Sequence, residues 1–183
     1  LLYSMMQECF PAKIREAYRH VVRGDDECGL EELLAVLDVA ARLRIGEVVE
    51  DLRRAIELAE SIEDERRRIL CLARIARAIM VADRHWGREF AEYVAECSQG
   101  LRPRDRAWIL SELGTSIYNA DRCLGERLLR EAIEIAGRID PSEGSRIVRN
   151  IVKSVGRIEE SPWLRQLELY AIELRRSSRS KNL

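Results

Sequence analysis

The chain has 183 residues, of which 46% are hydrophobic and 34% are charged, and its net charge is −1. This composition excludes a disordered chain. The near-zero charge excludes a whole-protein field that would draw the chain to nucleic acid or to a membrane surface. Only 5% of the residues are aromatic, and Leu, Ala, Ile, Arg and Glu dominate, which is typical of helices.

Five cysteines and two histidines are spread singly along the chain, without a CxxC pair or a zinc-binding spacing. We therefore expect no metal, no cofactor and a reducing, cytoplasmic location. Cys71 and Cys97 take positions that hold Ile109 and Ile135 one copy later in the repeat described below, so we expect both to be small core residues.

The N-terminal segment 1–11 is apolar but too short to cross a bilayer, and we assign it no element. Apolar residues at steps of three and four then predict an unbroken series of helices. The first three are expected over 12–23, 30–43 and 47–62. The next six form pairs: 65–82 with 88–99, 105–119 with 126–139, and 143–158 with 162–176. Residues 177–183 are expected to form a basic, flexible tail.

A four-residue phrase, Ala132-Ile133-Glu134-Ile135, recurs along these helices. Its anchor positions are 17, 55, 94, 132 and 171, which gives a period of about 38 residues that never varies by more than one. So steady a period indicates stacked helical repeats, because one helix pair cannot bury its apolar stripe alone. We predict a single all-α repeat domain over 12–176, a right-handed α-α superhelix of about nine helices.

The clearest unit resembles the tetratricopeptide family. The resemblance is carried by the pattern Leu113-Gly114, Ile117, Leu129, Ile133, Ala136 and Pro141. The unit here is about four residues longer than the unit of that family, and the extra residues are placed between the helices, at 121–125. Another copy replaces Gly114 by Val152, so HEAT-like and other α-α repeats remain open. The resemblance implies a non-catalytic scaffold that binds peptides or partner proteins in its concave face.

No catalytic motif is present in the sequence, and we predict that the protein is not an enzyme. Asp83 and Asp121 recur one repeat apart, each followed by Arg. A turn and capping role for the two aspartates is favoured over a repeated catalytic pair. A helical enzyme with a buried carboxylate or a site at His85 is the remaining enzymatic alternative.

The most specific surface feature is a basic ladder on the last predicted A helix, formed by Arg146, Arg149, Lys153 and Arg157. Steps of three and four residues place these cations on one helix face, where only Glu143 opposes them. The equivalent faces of the two preceding A helices supply the other candidate binding residues, namely Trp108, Tyr118, Asn119, Arg77 and Met80. Such a groove fits an acidic peptide or a C-terminal carboxylate; the alternative is a solvated helix face with ordinary packing.

The sequence thus predicts a cytoplasmic protein-interaction scaffold that binds another protein or an acidic peptide. Binding of nucleic acid through the basic ladder and the tail is the main alternative. Self-association as a homodimer through an end unit is also open, and no membrane contact is expected.

Overall fold

The structure is a computed structural model that describes residue 37 and residues 48–156, 165–167 and 169–173. These residues form helices and their short connections, without any β-strand, so the all-α prediction is confirmed. The helices predicted over 12–23 and 30–43 lie outside the described residues apart from Leu37, so the count of nine stays a prediction. No helix in the described part is both long enough and apolar enough to cross a bilayer.

The continuous stretch contains six α-helices and one short 3-10 helix. Their bounds are α1 Val48–Glu60, α2 Glu65–Ala82, α3 Arg84–Cys97, the 3-10 helix Ser98–Gly100, α4 Pro103–Ile117, α5 Arg122–Ala136 and α6 Pro141–Val155. Residues 165–167 and 169–173 are also helical and are called the terminal segment below. α2 has the predicted bounds, whereas α3, α4, α5 and α6 begin two to four residues earlier than predicted.

Aspartate caps explain three of the four early helix starts, those of α3, α5 and α6. The Asp83 carboxylate accepts hydrogen bonds from the backbone N–H groups of His85 (2.9 Å) and Trp86 (3.1 Å), and the Asp121 carboxylate accepts one from Leu124 (3.1 Å). Such a side chain satisfies donors that the first helical turn leaves unpaired. The capping role is therefore confirmed. The prediction that 83–87 and 121–125 are turns is wrong, because the helix begins directly after each aspartate.

The two prolines after α3 and α5 begin helices instead of ending them. Pro103 and Pro141 are the first residues of α4 and α6, where a missing N–H costs nothing. The predicted cap at Ser142 is also wrong. Asp140 caps α6, because its carboxylate accepts hydrogen bonds from the N–H groups of Ser142 (2.9 Å) and Glu143 (3.3 Å).

The chain divides into two compact units, Leu1–Glu92 and Tyr93–Leu183. The predicted single domain over 12–176 stays a prediction. In the first unit, α1 packs on α2, and each helix buries the face that its apolar spacing predicts. The fully buried residues include Leu52, Ala55 and Ala59 of α1 and Ile75, Ala76 and Ile79 of α2. Cys71 is only half-buried, and so is Cys97 in the second unit, so neither is the core residue predicted.

Glycine lets consecutive helices meet backbone to backbone at two equivalent places. A Cβ atom on Gly87 would lie 2.3 Å from Cα of Met80, and one on Gly125 would lie 2.9 Å from Cα of Tyr118. The two contacts are one repeat apart in sequence, one in each unit. Any larger residue would force these helices apart.

The second unit is built on α4, α5 and α6, each of which contacts the other two. α4 and α5 are antiparallel: Tyr118 meets Gly125, Gly114 meets Leu129, and Arg106 pairs with Glu131. α4 and α6 are parallel, because Arg104 pairs with Glu143 and Trp108 lies beneath Arg146. The side chains between the three helices are almost fully buried and form the core: Leu110, Leu113, Ile117, Leu128, Leu129, Ile147, Val148 and Ile151.

Candidate binding groove on α6

An open groove of about 630 Å³ lies between α6 and the terminal segment. Its volume falls within the range of about 300–1,000 Å³ that is common for ligand sites. The lining residues are Arg146, Arg149, Asn150, Val152, Lys153, Ala171 and Ile172. Most of these side chains are exposed, so the groove is open to solvent and not an enclosed cavity.

The amphipathic pattern of α6 decides which side chains reach this groove. Ile147, Val148, Ile151 and Val155 are buried on one face of the helix. Three- and four-residue steps then leave Arg146, Arg149, Asn150 and Lys153 on the opposite face, where all are exposed. The position of the three described ladder cations is therefore a consequence of how α6 buries its apolar stripe.

One hydrogen bond and one packing contact join the terminal segment to the rest of the second unit. The buried hydroxyl of Ser145 on α6 donates to the carbonyl oxygen of Ala171 at 3.2 Å. At the end of α5, a Cβ atom on Gly137 would lie 2.2 Å from the Tyr170 hydroxyl oxygen, so the ring of Tyr170 uses the space that glycine leaves. Ala171 is 4% exposed whereas Ile172 is 48% exposed, so the segment buries the first and presents the second.

The structure brings three of the four ladder cations together at the groove, namely Arg146, Arg149 and Lys153. Arg157 lies outside the described residues. No carboxylate belongs to the described lining of the groove, and none of the described ion pairs involves Arg146, Arg149 or Lys153. The described lining of the groove therefore carries a net positive charge, which is suited to a negatively charged ligand.

Two of the arginines are held by neighbours that are not acids. The Arg146 guanidinium carbon lies 5.5 Å from the ring centroid of Trp108, which is a cation–π geometry. The Arg149 Nε donates to the carbonyl oxygen of Ser145, one turn earlier on α6, at 3.2 Å. Both contacts orient the guanidinium groups without neutralising them.

Glu143, the one acid expected to oppose the basic ladder, is occupied elsewhere. Its carboxylate lies 2.8 Å from Nη1 of Arg104 on α4. The side chain of Glu143 is 31% exposed in this pair, so it is partly withdrawn from solvent. Its charge is thus compensated by α4 and not by the ladder.

The remaining candidate residues do not line the groove. Tyr118 and Met80 are 2% and 3% exposed, so both are core residues, in the second and the first unit respectively. Each packs on a glycine, which removes it from an open face. Asn119 and Arg77 are exposed, and neither belongs to the described groove lining. Trp108 is half-buried and supports Arg146 from below.

Sequence reasoning missed the apolar side of the groove. This side is formed by Val152, which is half-buried, and Ile172, which is exposed. One signal was available for Val152, because it stands where the clearest repeat has Gly114. Asn150 completes the polar lining and had no distinctive sequence signal.

Comparisons with family models, with curated proteins and with solved structures give no match. Within the described residues, no group of three or more His, Cys, Asp or Glu side chains is arranged to hold a metal ion. The described lining of the groove offers guanidinium, ammonium, amide and apolar groups. These groups can bind and orient an anion that also carries an apolar part.

Proposed function

We propose that the protein is a non-catalytic interaction scaffold of the α-α repeat type, similar to tetratricopeptide proteins. Two contacts support a repeated architecture. Arg104 pairs with Glu143 and Trp108 packs on Arg146, and in each case the two partners are about one repeat length apart in sequence. Neighbouring parallel helices in such an array contact each other at that separation. A cytosolic location is part of the proposal and agrees with the free thiols of Cys97 and Cys123.

The proposed ligand is an acidic peptide segment of another protein, bound in the groove on α6. The observation that carries this proposal is the meeting of Arg146, Arg149 and Lys153 in a groove whose described lining has no acid. Charge-assisted hydrogen bonds from Arg and Lys to carboxylates are stronger than neutral ones, and Arg can donate two in parallel. The apolar lining adds contact area that a wholly ionic site would lack.

Nucleic acid is the less favoured ligand because no aromatic ring belongs to the described lining of the groove. Proteins that bind single strands stack bases on exposed aromatic rings. Trp108 is half-buried and its ring is covered by the Arg146 guanidinium. Binding would then depend on phosphate contacts alone, and the affinity that such contacts provide falls steeply as the salt concentration increases.

The proposal is tested by fluorescence anisotropy with two labelled probes, a pool of random peptides rich in Asp and Glu and a random single-stranded RNA of similar charge. Wild type is compared with Arg146→Glu/Arg149→Glu/Lys153→Glu. The matched control is Arg127→Glu/Arg130→Glu/Arg138→Glu, which makes the same change in net charge at exposed sites on and after α5. Circular dichroism shows whether each variant keeps its helix content.

We expect the peptide pool to bind the wild type and the control variant with similar affinity. Its affinity for the variant with Glu at 146, 149 and 153 should be at least tenfold lower. Equal binding by all three proteins, or no binding by any, would overturn the proposal. If the RNA binds more tightly than the peptides and loses that binding in the reversed ladder, the groove is a nucleic-acid site instead.

A further inference from the structure

The spacing of the groove cations identifies the conformation of the ligand. We infer that the groove on α6 receives an amphipathic acidic helix of a partner protein. One carboxylate contacts Arg146, a second contacts Lys153, and an apolar side chain lies against Val152 and Ile172. This inference rests on the proposed function, and it adds the conformation and the residue spacing of the partner.

The distance between the two outer cations fits a helix better than an extended peptide. Arg146 and Lys153 are seven residues apart on α6, which corresponds to about 10.5 Å along the axis. In a helical ligand, carboxylates seven residues apart lie on one face at that same spacing. In an extended ligand, side chains on one face recur every ~6.8 Å, so the available spacings are ~6.8 and ~13.6 Å.

The apolar part of the groove lies along one side of the cations. Ala171 is buried and forms part of the floor, Val152 is half-buried, and Ile172 is 48% exposed. An acidic helix whose apolar residue lies beside its acidic stripe would cover these side chains. That arrangement is the helix-in-groove mode of recognition, in which side chains one turn apart act as anchors.

A second copy of this chain is a poor occupant of the groove. Two grooves that face each other across a two-fold axis would bring both sets of Arg146, Arg149 and Lys153 together. Like charges in one interface oppose association, and no acid in the described lining offsets them. Charge complementarity therefore selects an acidic partner over self-association.

The test uses three designed peptides of one composition, measured by anisotropy on the full chain. The first is a helix-forming peptide with Glu at positions i and i+7 and Leu at i+3 and i+4. The second moves the later Glu to i+5, which turns it to the opposite side of the helix. The third has the spacing of the first, but one exposed Ala is exchanged with a terminal Pro so that the helix breaks. Circular dichroism reports the helix content on binding.

We expect the first peptide to bind about tenfold more tightly than the other two. On the protein, Ile172→Ser should weaken binding of the first peptide about tenfold. Leu169→Ser is the matched control. It alters a more exposed residue, 63% against 48%, on the same segment but outside the groove lining, and should leave affinity within about twofold.

A double-mutant cycle locates the second carboxylate. Lys153→Met in the protein is combined with Glu→Gln at i or at i+7 in the peptide. For one of the two glutamates, the losses of binding free energy should not be additive, because both changes remove the same contact. If the three peptides bind equally and depend on the basic ladder, the inference fails while the proposed function stands. If neither these peptides nor the random acidic pool binds, both fail.

Discussion

The second unit contains two neighbouring helix pairs that differ in how tightly they close. α4 and α5 meet at Gly114, where a Cβ atom would lie 2.8 Å from the Leu129 side chain. One repeat later, α6 has Val152 at that position, and an open groove lies between α6 and the terminal segment. The helix contact is close where this position is Gly114, and a groove is found where it is Val152.

Two further equivalent positions on α4 and α6 also differ. Ser111 and Thr115 of α4 donate their hydroxyls to carbonyl groups of their own helix, at 2.7 and 2.8 Å. The equivalent positions one repeat later hold Arg149 and Lys153, which line the groove. In the proposed repeat architecture, function lies where the copies diverge, and here the packing residue and the charged residues diverge together.

The strongest way to break this contrast is to give α4 the residue of α6. Gly114→Val should lower the free energy of unfolding by about 2–3 kcal/mol, because the new side chain meets Leu129 and the backbone of Gly125. The reverse change, Val152→Gly, should cost only about 1 kcal/mol, which is the usual penalty for glycine inside a helix. Urea unfolding followed by circular dichroism measures both. Equal losses would show that the two contacts are alike.

A smaller effect distinguishes how α5 and α6 begin. Asp121 is 3% exposed and caps α5, whereas Asp140 is exposed and caps α6. Asp121→Ala should cost about 1–2 kcal/mol, because it leaves the N–H of Leu124 buried without its partner. Asp140→Ala should cost about 0.5–1 kcal/mol, since water can replace the carboxylate there. A larger loss for Asp140→Ala in the same unfolding measurement would refute this ranking.

The apolar period predicted the described helices and most of the core, because a helix must bury one continuous stripe. It gave the bounds of α2 and the buried faces of α1, α4 and α5. It placed the starts of α3, α5 and α6 too late, because an aspartate cap before a helix and an aspartate within a turn have the same local sequence.

The cations of the groove were also predictable from the sequence, since helical spacing alone places Arg146, Arg149 and Lys153 together. For the other candidate residues, helical spacing did not show which are exposed and which are buried. Met80 and Tyr118 were assigned to an open face, and both are buried against glycines. Periodicity gives the direction of a side chain from its helix axis, but the side from which a neighbouring helix approaches depends on tertiary packing.

The smallest expected effect concerns the ion pairs that α4 makes with its two neighbours. Arg106–Glu131 joins α4 to α5, and Arg104–Glu143 joins α4 to α6; the two arginine side chains are 27% and 50% exposed. Double-mutant cycles with alanine should give a coupling of about 1 kcal/mol for the first pair and about 0.5 kcal/mol for the second, because exposure weakens ion pairs.

The weaker pair still matters to the groove. Arg104→Ala releases the Glu143 carboxylate, which stands three residues before Arg146 on the same helix, so that it can compete with a bound acidic ligand. We therefore expect Arg104→Ala to weaken binding of the acidic helical peptide about two- to threefold at low salt, and Arg104→Ala/Glu143→Ala to restore it. Arg106→Ala, which does not release Glu143, should leave that affinity unchanged. If Arg104→Ala also left the peptide affinity unchanged, the Arg104–Glu143 ion pair would have no effect on the binding of acidic ligands in the groove.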